Sequence, residues 1–217
     1  MIEDEDLIGD VSDELFWDPK VHSERIAVDS RDGKVTLRGT VGTPREKFEA
    51  RKAAERVHGV VAVDNQLEVR LMDDQRRDDA EVRADVLQAL MLDGVVPDTI
   101  DAKVKDGMVT LIGTAEWQYQ RDEAVFVASS IVGALEVSDE IELKHPTPRA
   151  EDVRDLIEKA WQRNASLEAD DLRIITSNGE VTVEGTVSSW TEHDEAIEAA
   201  WAAPGVRKVE DHLTVVY

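Results

Sequence analysis

The side chains that could hold a metal in this chain are chiefly its histidines. No two of them are three or four residues apart, and they stand at His22, His58, His145, His193 and His212. Zinc sites need three or four converging ligands, and helical zinc proteases place two histidines on one face of a helix. The spacing therefore predicts no metal site, and we expect the histidines at the surface.

Catalytic motifs are also missing from the sequence. Acidic pairs such as Asp122-Glu123 arise by chance in a chain with 48 acidic residues, and they are typical of solvated helix faces. The chain has no cysteine, no Gly-x-Ser-x-Gly elbow and no glycine-rich phosphate loop. We therefore expect a protein that is not an enzyme and that holds no cofactor.

Aromatic residues offer a candidate binding surface. Trp117, with Tyr119 close by, and Trp190 lie where a predicted strand is followed by a helix. Tryptophan is enriched in binding hot spots and at lipid interfaces, so these three residues are the candidate contacts with a partner. The alternative interpretation is that each tryptophan ring covers the end of a small core, because tryptophan is usually mostly buried.

The elements that must position these residues occur three times. A phrase of the form Gly-x-Val-Thr-Leu/Val-x-Gly-Thr begins at Gly33, Gly107 and Gly179, so its copies lie 74 and 72 residues apart. Such spacing is the signature of one supersecondary unit built three times. The predicted modules are residues 1–74, 75–146 and 147–217.

Within each module the pattern predicts helix, hairpin, helix and strand. The hairpin turns are Asx-Gly pairs such as Asp32-Gly33, because a type I′ turn needs a positive φ at both central residues. We predict an α+β fold of three tandem αββαβ modules, each with two helices packed on one face of a small mixed three-stranded sheet. The glycines predicted to form its turns and helix caps are Gly33, Gly39, Gly59, Gly107, Gly113, Gly133, Gly179, Gly185 and Gly205.

Helix starts and buried faces are predicted from capping boxes and apolar stripes. Thr43 with Glu46, and Ser189 with Glu192, have the spacing of a capping box at the start of a module's second helix. The stripe predicted for the first helix of the third module contains Val153, Leu156, Ile157, Ala160 and Trp161.

Charge and hydropathy restrict the classes of partner. The net charge is −23, with −7, −8 and −8 in the three modules, so the acidity covers the whole chain. This charge opposes binding to nucleic acid and to anionic lipid headgroups. The longest apolar runs are five residues, so no transmembrane segment is predicted. The acidic start at Met1 lacks the basic and apolar regions of a secretory signal, which predicts a cytoplasmic protein.

The repeated residues resemble the BON family, the bacterial OsmY and nodulation domain. The resemblance rests on the hairpin glycine, the Val-Thr-Leu-x-Gly-Thr-Val phrase, the alanine-rich helix, the following Gly-Val and the last strand. The segments Trp117-Gln118-Tyr119 and Ser188-Ser189-Trp190 resemble segments of bacterial proteins with three tandem BON domains. The resemblance implies a non-enzymatic module that binds phospholipid or a protein partner, with a role in osmotic or envelope stress.

Two other functions fit the same sequence. A BON domain occurs in a small bacterial potassium-binding protein, and this chain is rich in carboxylates, so ion sensing is one alternative. A structural array that assembles with itself into a homo-oligomer is the other. No particular ligand set for an ion is visible in the sequence.

Overall fold

The structure is a computed structural model that describes residues 4–71, 77–144, 150–164, 167 and 171–216. The predicted module boundaries, at 74/75 and 146/147, lie outside the described residues and stay predictions. The chain divides into two compact units, one formed by Met1–Ala115 with Tyr119–Glu142 and the other by Glu116–Gln118 with Leu143–Tyr217.

The order helix, strand, strand, helix, strand occurs three times, which confirms the predicted αββαβ pattern. The first module contains α1 (Asp4–Trp17), a 3-10 turn (Ser23–Arg25), β1 (Ile26–Arg31), β2 (Lys34–Val41), α2 (Pro44–Glu55) and β3 (Ala62–Val69). The second contains α3 (Asp79–Leu92), β4 (Asp101–Lys105), β5 (Met108–Ala115), α4 (Gln118–Ser129) and β6 (Glu136–Leu143). The third contains α5 (Ala150–Arg163), β7 (Leu172–Ser177), β8 (Glu180–Val187), α6 (Trp190–Trp201) and β9 (Lys208–Val215).

Each module has one three-stranded sheet whose middle strand is the second in sequence, in the orders β1-β2-β3, β4-β5-β6 and β7-β8-β9. In the first module, β2 pairs antiparallel with β1 and parallel with β3, and β8 pairs in the same way with β7 and β9. A parallel neighbour requires a crossover connection, which α2 and α6 supply. The predicted mixed sheet is therefore confirmed, and the structure adds the strand order.

The hairpin turns have the backbone conformation that their Asx-Gly sequences predict. In the first turn φ is 51° at Asp32 and 76° at Gly33, and the other two turns agree closely. In the second module the turn is also held by the first helix, because the Asp79 carboxylate accepts hydrogen bonds from the N–H groups of Asp106 and Gly107 at 2.8 and 2.9 Å. The start of α3 and the hairpin tip are thereby fixed to each other.

The core of a module lies between its helices and the middle strand. In the first module, Leu7, Val11 and Leu15 of α1 are buried against Val35 and Leu37 of β2. The alanines of α2 complete this core: Ala50, Ala53 and Ala54. Alanine has no side chain beyond Cβ, so a helix that presents alanine can lie close to a sheet.

The third module has the same core with a larger side chain. Val153, Ile157 and Trp161 of α5 are buried, and the Trp161 indole donates a hydrogen bond to the Ala196 carbonyl at 3.1 Å. The stripe prediction was wrong for Leu156, whose side chain is exposed. Leu156 lies one position before Ile157, which turns it about 100° away from the buried face of the helix.

A glycine in the middle strand permits a close backbone approach in every module. Gly39 lies inside β2 with a φ of 132°, and a Cβ added there would overlap the carbonyl oxygen of Arg25. Gly113 and Gly185 have the same relation to the carbonyls of Thr99 and Asp171. These glycines are needed because a carbonyl just before the first strand of each hairpin lies where a Cβ on the middle strand would be.

The first two modules touch within the first compact unit. The guanidinium carbon of Arg45 on α2 lies 3.1 Å from the centre of the Phe126 ring on α4. Arg45 is also paired with Glu49 at 2.7 Å, which fixes its orientation over the ring. A cation–π contact thus joins the second helices of the two modules.

Replacing Gly39 with alanine should destabilise the first module by about 3 kcal/mol, because the new methyl group meets a backbone carbonyl at a φ that L-residues avoid. The measurement is denaturant unfolding of the full chain with amide hydrogen exchange across residues 26–41. Gly9→Ala is the matched control, since a Cβ on Gly9 of α1 has no atom within 4 Å. That control should be neutral or stabilising by about 0.5–1 kcal/mol. Equal effects of the two substitutions would contradict this account.

Candidate partner-binding surface

The junction between the middle strand and the second helix differs among the modules at one equivalent position. Thr43 and Ser189 occupy it in the first and third modules, where each side chain accepts a hydrogen bond at 3.1 Å from the backbone N–H of Glu46 and Glu192, respectively. In the second module the position belongs to Trp117. An indole can only donate a hydrogen bond, so Trp117 cannot cap α4 in this way.

The Trp117 side chain lacks the capping oxygen that Thr43 and Ser189 supply at the equivalent position. A Ser, Thr, Asp or Asn cap stabilises a helix by about 1 kcal/mol relative to a residue that cannot accept the bond. Sequences that break a local folding rule do so chiefly at functional or strained sites. The replacement of a cap by Trp117 therefore favours a binding role for this junction.

The three predicted contact residues differ in exposure. Tyr119 on α4 is 59% exposed, whereas Trp117 and Trp190 are half-buried. Trp190 begins α6, packs against the core of the third module and lies 4.8 Å from the His193 ring, centre to centre. Tyr119 is thus the most accessible of the three, and Trp190 has the core contacts of the alternative interpretation as well as an exposed part.

Buried carboxylates hold the loops that lead into these helices. Glu46 accepts hydrogen bonds at 2.8 Å from the N–H of Gly42, and from the N–H and Nδ1 of His22. Burial alone would raise the pKa of the Glu46 carboxyl, but the bonds from Gly42 and His22 outweigh it and lower that pKa. Glu192 accepts in a similar way from the N–H and Oγ of Ser188. Both carboxylates therefore reach the residue before the cap, one position further than a capping box predicts.

A second repeated link joins each second helix to the last strand. In the first module, Asn65 of β3 donates a hydrogen bond to the Lys47 carbonyl at 2.8 Å. In the second, Arg121 of α4 forms an ion pair with Asp139 of β6 at 2.6 Å. In the third, Nε2 of His193 lies 2.8 Å from Asp211 of β9. The equivalent link is thus neutral, permanently charged and titratable in the three modules.

Sequence reasoning missed the role of His193. It was predicted at the surface, but only 12% of its side chain is exposed. Burial lowers the pKa of this imidazole, but the hydrogen bond with Asp194 and the charge and hydrogen bond of Asp211 outweigh burial and raise the pKa above its usual 6.5. Its eighth position after Gly185, matching Arg121 after Gly113, was the signal that could have found it.

Two negative findings apply to the part of the chain that the structure describes. Among those residues, no group of three or more histidines and carboxylates is placed to hold a metal ion. None of the described helices is both long enough and apolar enough to cross a membrane.

Comparisons with known proteins agree with the threefold repeat. The family model described as BON domain matches residues 3–70, 78–145 and 149–217. Osmotically-inducible protein Y of Escherichia coli (strain K12) is 31% identical over 151 residues, which cover 63% of this chain and 72% of that protein.

Solved structures give only weak similarities. CdsD, a structural protein of the type III secretion system of Chlamydia trachomatis, aligns with a TM-score of 0.28 at 15% identity, over 97% of this chain and 92% of that chain. The PrgH periplasmic domain aligns with a TM-score of 0.23 at 8% identity, over 88% of this chain and 95% of its own. At such TM-scores these alignments carry no argument about this protein.

The link between α6 and β9 should weaken as the pH rises. The pKa of His193 is higher in the folded than in the unfolded chain, so its stabilisation is complete below about pH 6.5 and is lost as the pH passes the folded pKa. Loss of this charged hydrogen bond should remove about 1–2 kcal/mol. The measurement is hydrogen exchange of residues 208–215 between pH 6 and 9, corrected for the intrinsic pH dependence of exchange.

His193→Arg is the matched variant, because arginine occupies the equivalent position in the second module. Its protection should be constant over the same pH range. The pKa of His193 itself can be followed by NMR titration of the ring. A protection profile in His193→Arg that falls like that of the wild type would show that another group is responsible.

Proposed function

The chain belongs to the BON domain family, and from that premise we propose that it is a non-enzymatic binding protein of three BON modules that contacts a phospholipid surface or a protein partner. We further propose that it acts in the response to osmotic or related stress. The sequence similarity to Osmotically-inducible protein Y supports this second part. The contact residues in this proposal are Trp117, Tyr119 and Trp190.

The observation that carries the proposal is the aromatic side chain at the capping position of α4. Threonine and serine caps stand in the other two modules, so the fold itself does not require a tryptophan there. Tyr119, 59% exposed, is two residues further along the chain. Tyrosine and tryptophan are the residues that most often dominate the energy of an interface.

The charge of the chain determines which forces can act at this surface. With a net charge of −23, long-range attraction to an anionic membrane is absent. Contact through the junction must therefore come from burial of aromatic surface, which salt does not screen. This behaviour separates the proposal from electrostatic adsorption.

Trp117→Ser should weaken partner binding while the module stays folded. Serine supplies the cap oxygen that Ser189 provides in the third module, and such a cap contributes about 1 kcal/mol to helix stability. Loss of a hot-spot tryptophan costs about 2 kcal/mol or more, which corresponds to a weakening of roughly thirtyfold. The measurements are sedimentation with zwitterionic and anionic vesicles at low and physiological salt, and crosslinking to proteins in osmotically shocked cells.

Phe48→Ser is the matched control, because Phe48 is an exposed aromatic residue on α2 of the first module. It should leave this binding unchanged. Vesicle binding that survives salt would assign the surface to lipid, and crosslinks without vesicle binding would assign it to a protein. Full binding by a folded Trp117→Ser variant would refute the assignment of the site.

A further inference from the structure

Two helices end in exposed apolar pairs that the junction surface does not use. Phe16 and Trp17, the last residues of α1, are 74% and 79% exposed. Met91 and Leu92, the last residues of α3, are 78% and 74% exposed. Contiguous exposed apolar surface marks interaction sites more often than single scattered apolar residues do.

The two pairs occupy equivalent positions in their modules. Each directly follows a buried leucine, Leu15 or Leu90. Each is also followed by an aspartate that forms the same turn, since Asp18 accepts from the N–H of Lys20 and Asp93 from the N–H of Val95. The folding of the helix end is therefore the same in both modules, and it presents the pair in the same way.

The third module shows that this helix end does not need apolar residues. There the buried Trp161 takes the place of the leucine, and the two exposed residues that follow are Gln162 and Arg163. Arg163 is a basic residue in the last turn of α5, whereas the last turns of α1 and α3 contain none. A cation at this end is favourable because the carbonyl groups of a helix C-terminus carry partial negative charge.

The surroundings of the first pair are also acidic. α1 contains six carboxylates and no basic residue, and Asp10 and Asp13 are exposed on it. Among the described residues, Asp10 and Asp13 have no ion-pair partner. The nearby cations are occupied, because Arg56 bonds Glu14 and Asp18, and Lys20 bonds Glu49.

We propose that Phe16–Trp17 and Met91–Leu92 are two equivalent docking points for a cationic amphipathic segment of a partner protein. Its apolar side chains cover the exposed pair, and its basic residues complete the helix C-terminus as Arg163 does in the third module. The acidic chain then attracts the partner over a distance and the apolar pair holds it. This inference rests on none of the junction residues of the proposed function.

The test uses a peptide of about 18 residues, or five helical turns, built from leucine and lysine with one apolar face. Calorimetric titration of the full chain should show two bound peptides, with affinity that falls as salt is added. The double variant Phe16→Gln with Trp17→Arg, which reproduces the Gln-Arg pair of the third module, should leave one bound peptide. The fourfold variant, which also carries Met91→Gln and Leu92→Arg, should leave none. Each loss should exceed tenfold in affinity.

Controls separate charge, site and fold. The charge-neutral pair Phe16→Gln with Trp17→Gln should also lose the first site, which attributes the loss to apolar contact rather than to added repulsion. A leucine–glutamate peptide with the same apolar face should not bind. Trp117→Ser should retain both peptides. Circular dichroism should show unchanged melting of the variants at the two helix ends, because the side chains substituted there are exposed.

Five results would overturn the proposal. Binding of the leucine–glutamate peptide as tight as that of the leucine–lysine peptide would show that charge does not select the partner. Peptide binding by the fourfold variant as tight as that by the wild type would show that the two pairs are not the site. Zwitterionic vesicles that sediment the wild type but not the fourfold variant would assign the pairs to lipid. A dimer that the fourfold variant abolishes would assign them to a second copy of the chain. Peptide binding lost in Trp117→Ser alone would place the peptide at the junction, and the proposed function would then stand without this inference.

Discussion

The close approach of a backbone carbonyl to a glycine of the middle strand fixes the geometry of each module. Arg25, Thr99 and Asp171 supply the carbonyl, and any side chain at the facing glycine would force it away. The functional positions follow at constant intervals from that glycine. Counting from Gly39, the helix cap is the fourth residue, the buried acid the seventh, and the residue linked to the last strand the eighth. One steric constraint thus sets the geometry of the junction and of the helix that follows it.

Because the three modules share one backbone geometry, the residues in which they differ are the ones that the fold does not require and that indicate function. The cap position holds threonine in the first module, tryptophan in the second and serine in the third. The link between the second helix and the last strand is neutral, permanently charged and titratable in the same order. The ends of the first helices differ in the same manner, with two apolar pairs and one Gln-Arg pair. Comparison of one module with an unrelated protein would not show which of these residues the fold requires. Comparison of three modules in one chain does show it, since all three have the same backbone arrangement.

The sequence predicted what depends on local rules. The Asx-Gly turns, the αββαβ order and the burial of Val153, Ile157 and Trp161 follow from φ preferences and from the helical period, and the structure confirms them. The strand order could not be predicted, because alternation within a strand does not specify its neighbours. The contacts of His193 with Asp211 and of Glu46 with His22 join residues 18 and 24 positions apart, so no local pattern contains them. Leu156 belongs to the predicted apolar stripe but is exposed, since a small core buries only part of a wide apolar helix face.

The acidity of the chain gives these surfaces a common physical character. A molecule with a net charge of −23 repels nucleic acid and anionic lipid, and it attracts cations from a distance of about a Debye length. Its own basic residues near α1 are engaged with buried carboxylates, whose pKa values are lowered by the pairing even though burial opposes it, as for Asp18 and Glu49. The internal ion pairs thus use the cations, and the exposed acids of α1 stay uncompensated beside exposed aromatic rings. Such a surface discriminates by charge sign before any contact forms, and by apolar shape afterwards, which favours a basic amphipathic partner over an anionic membrane.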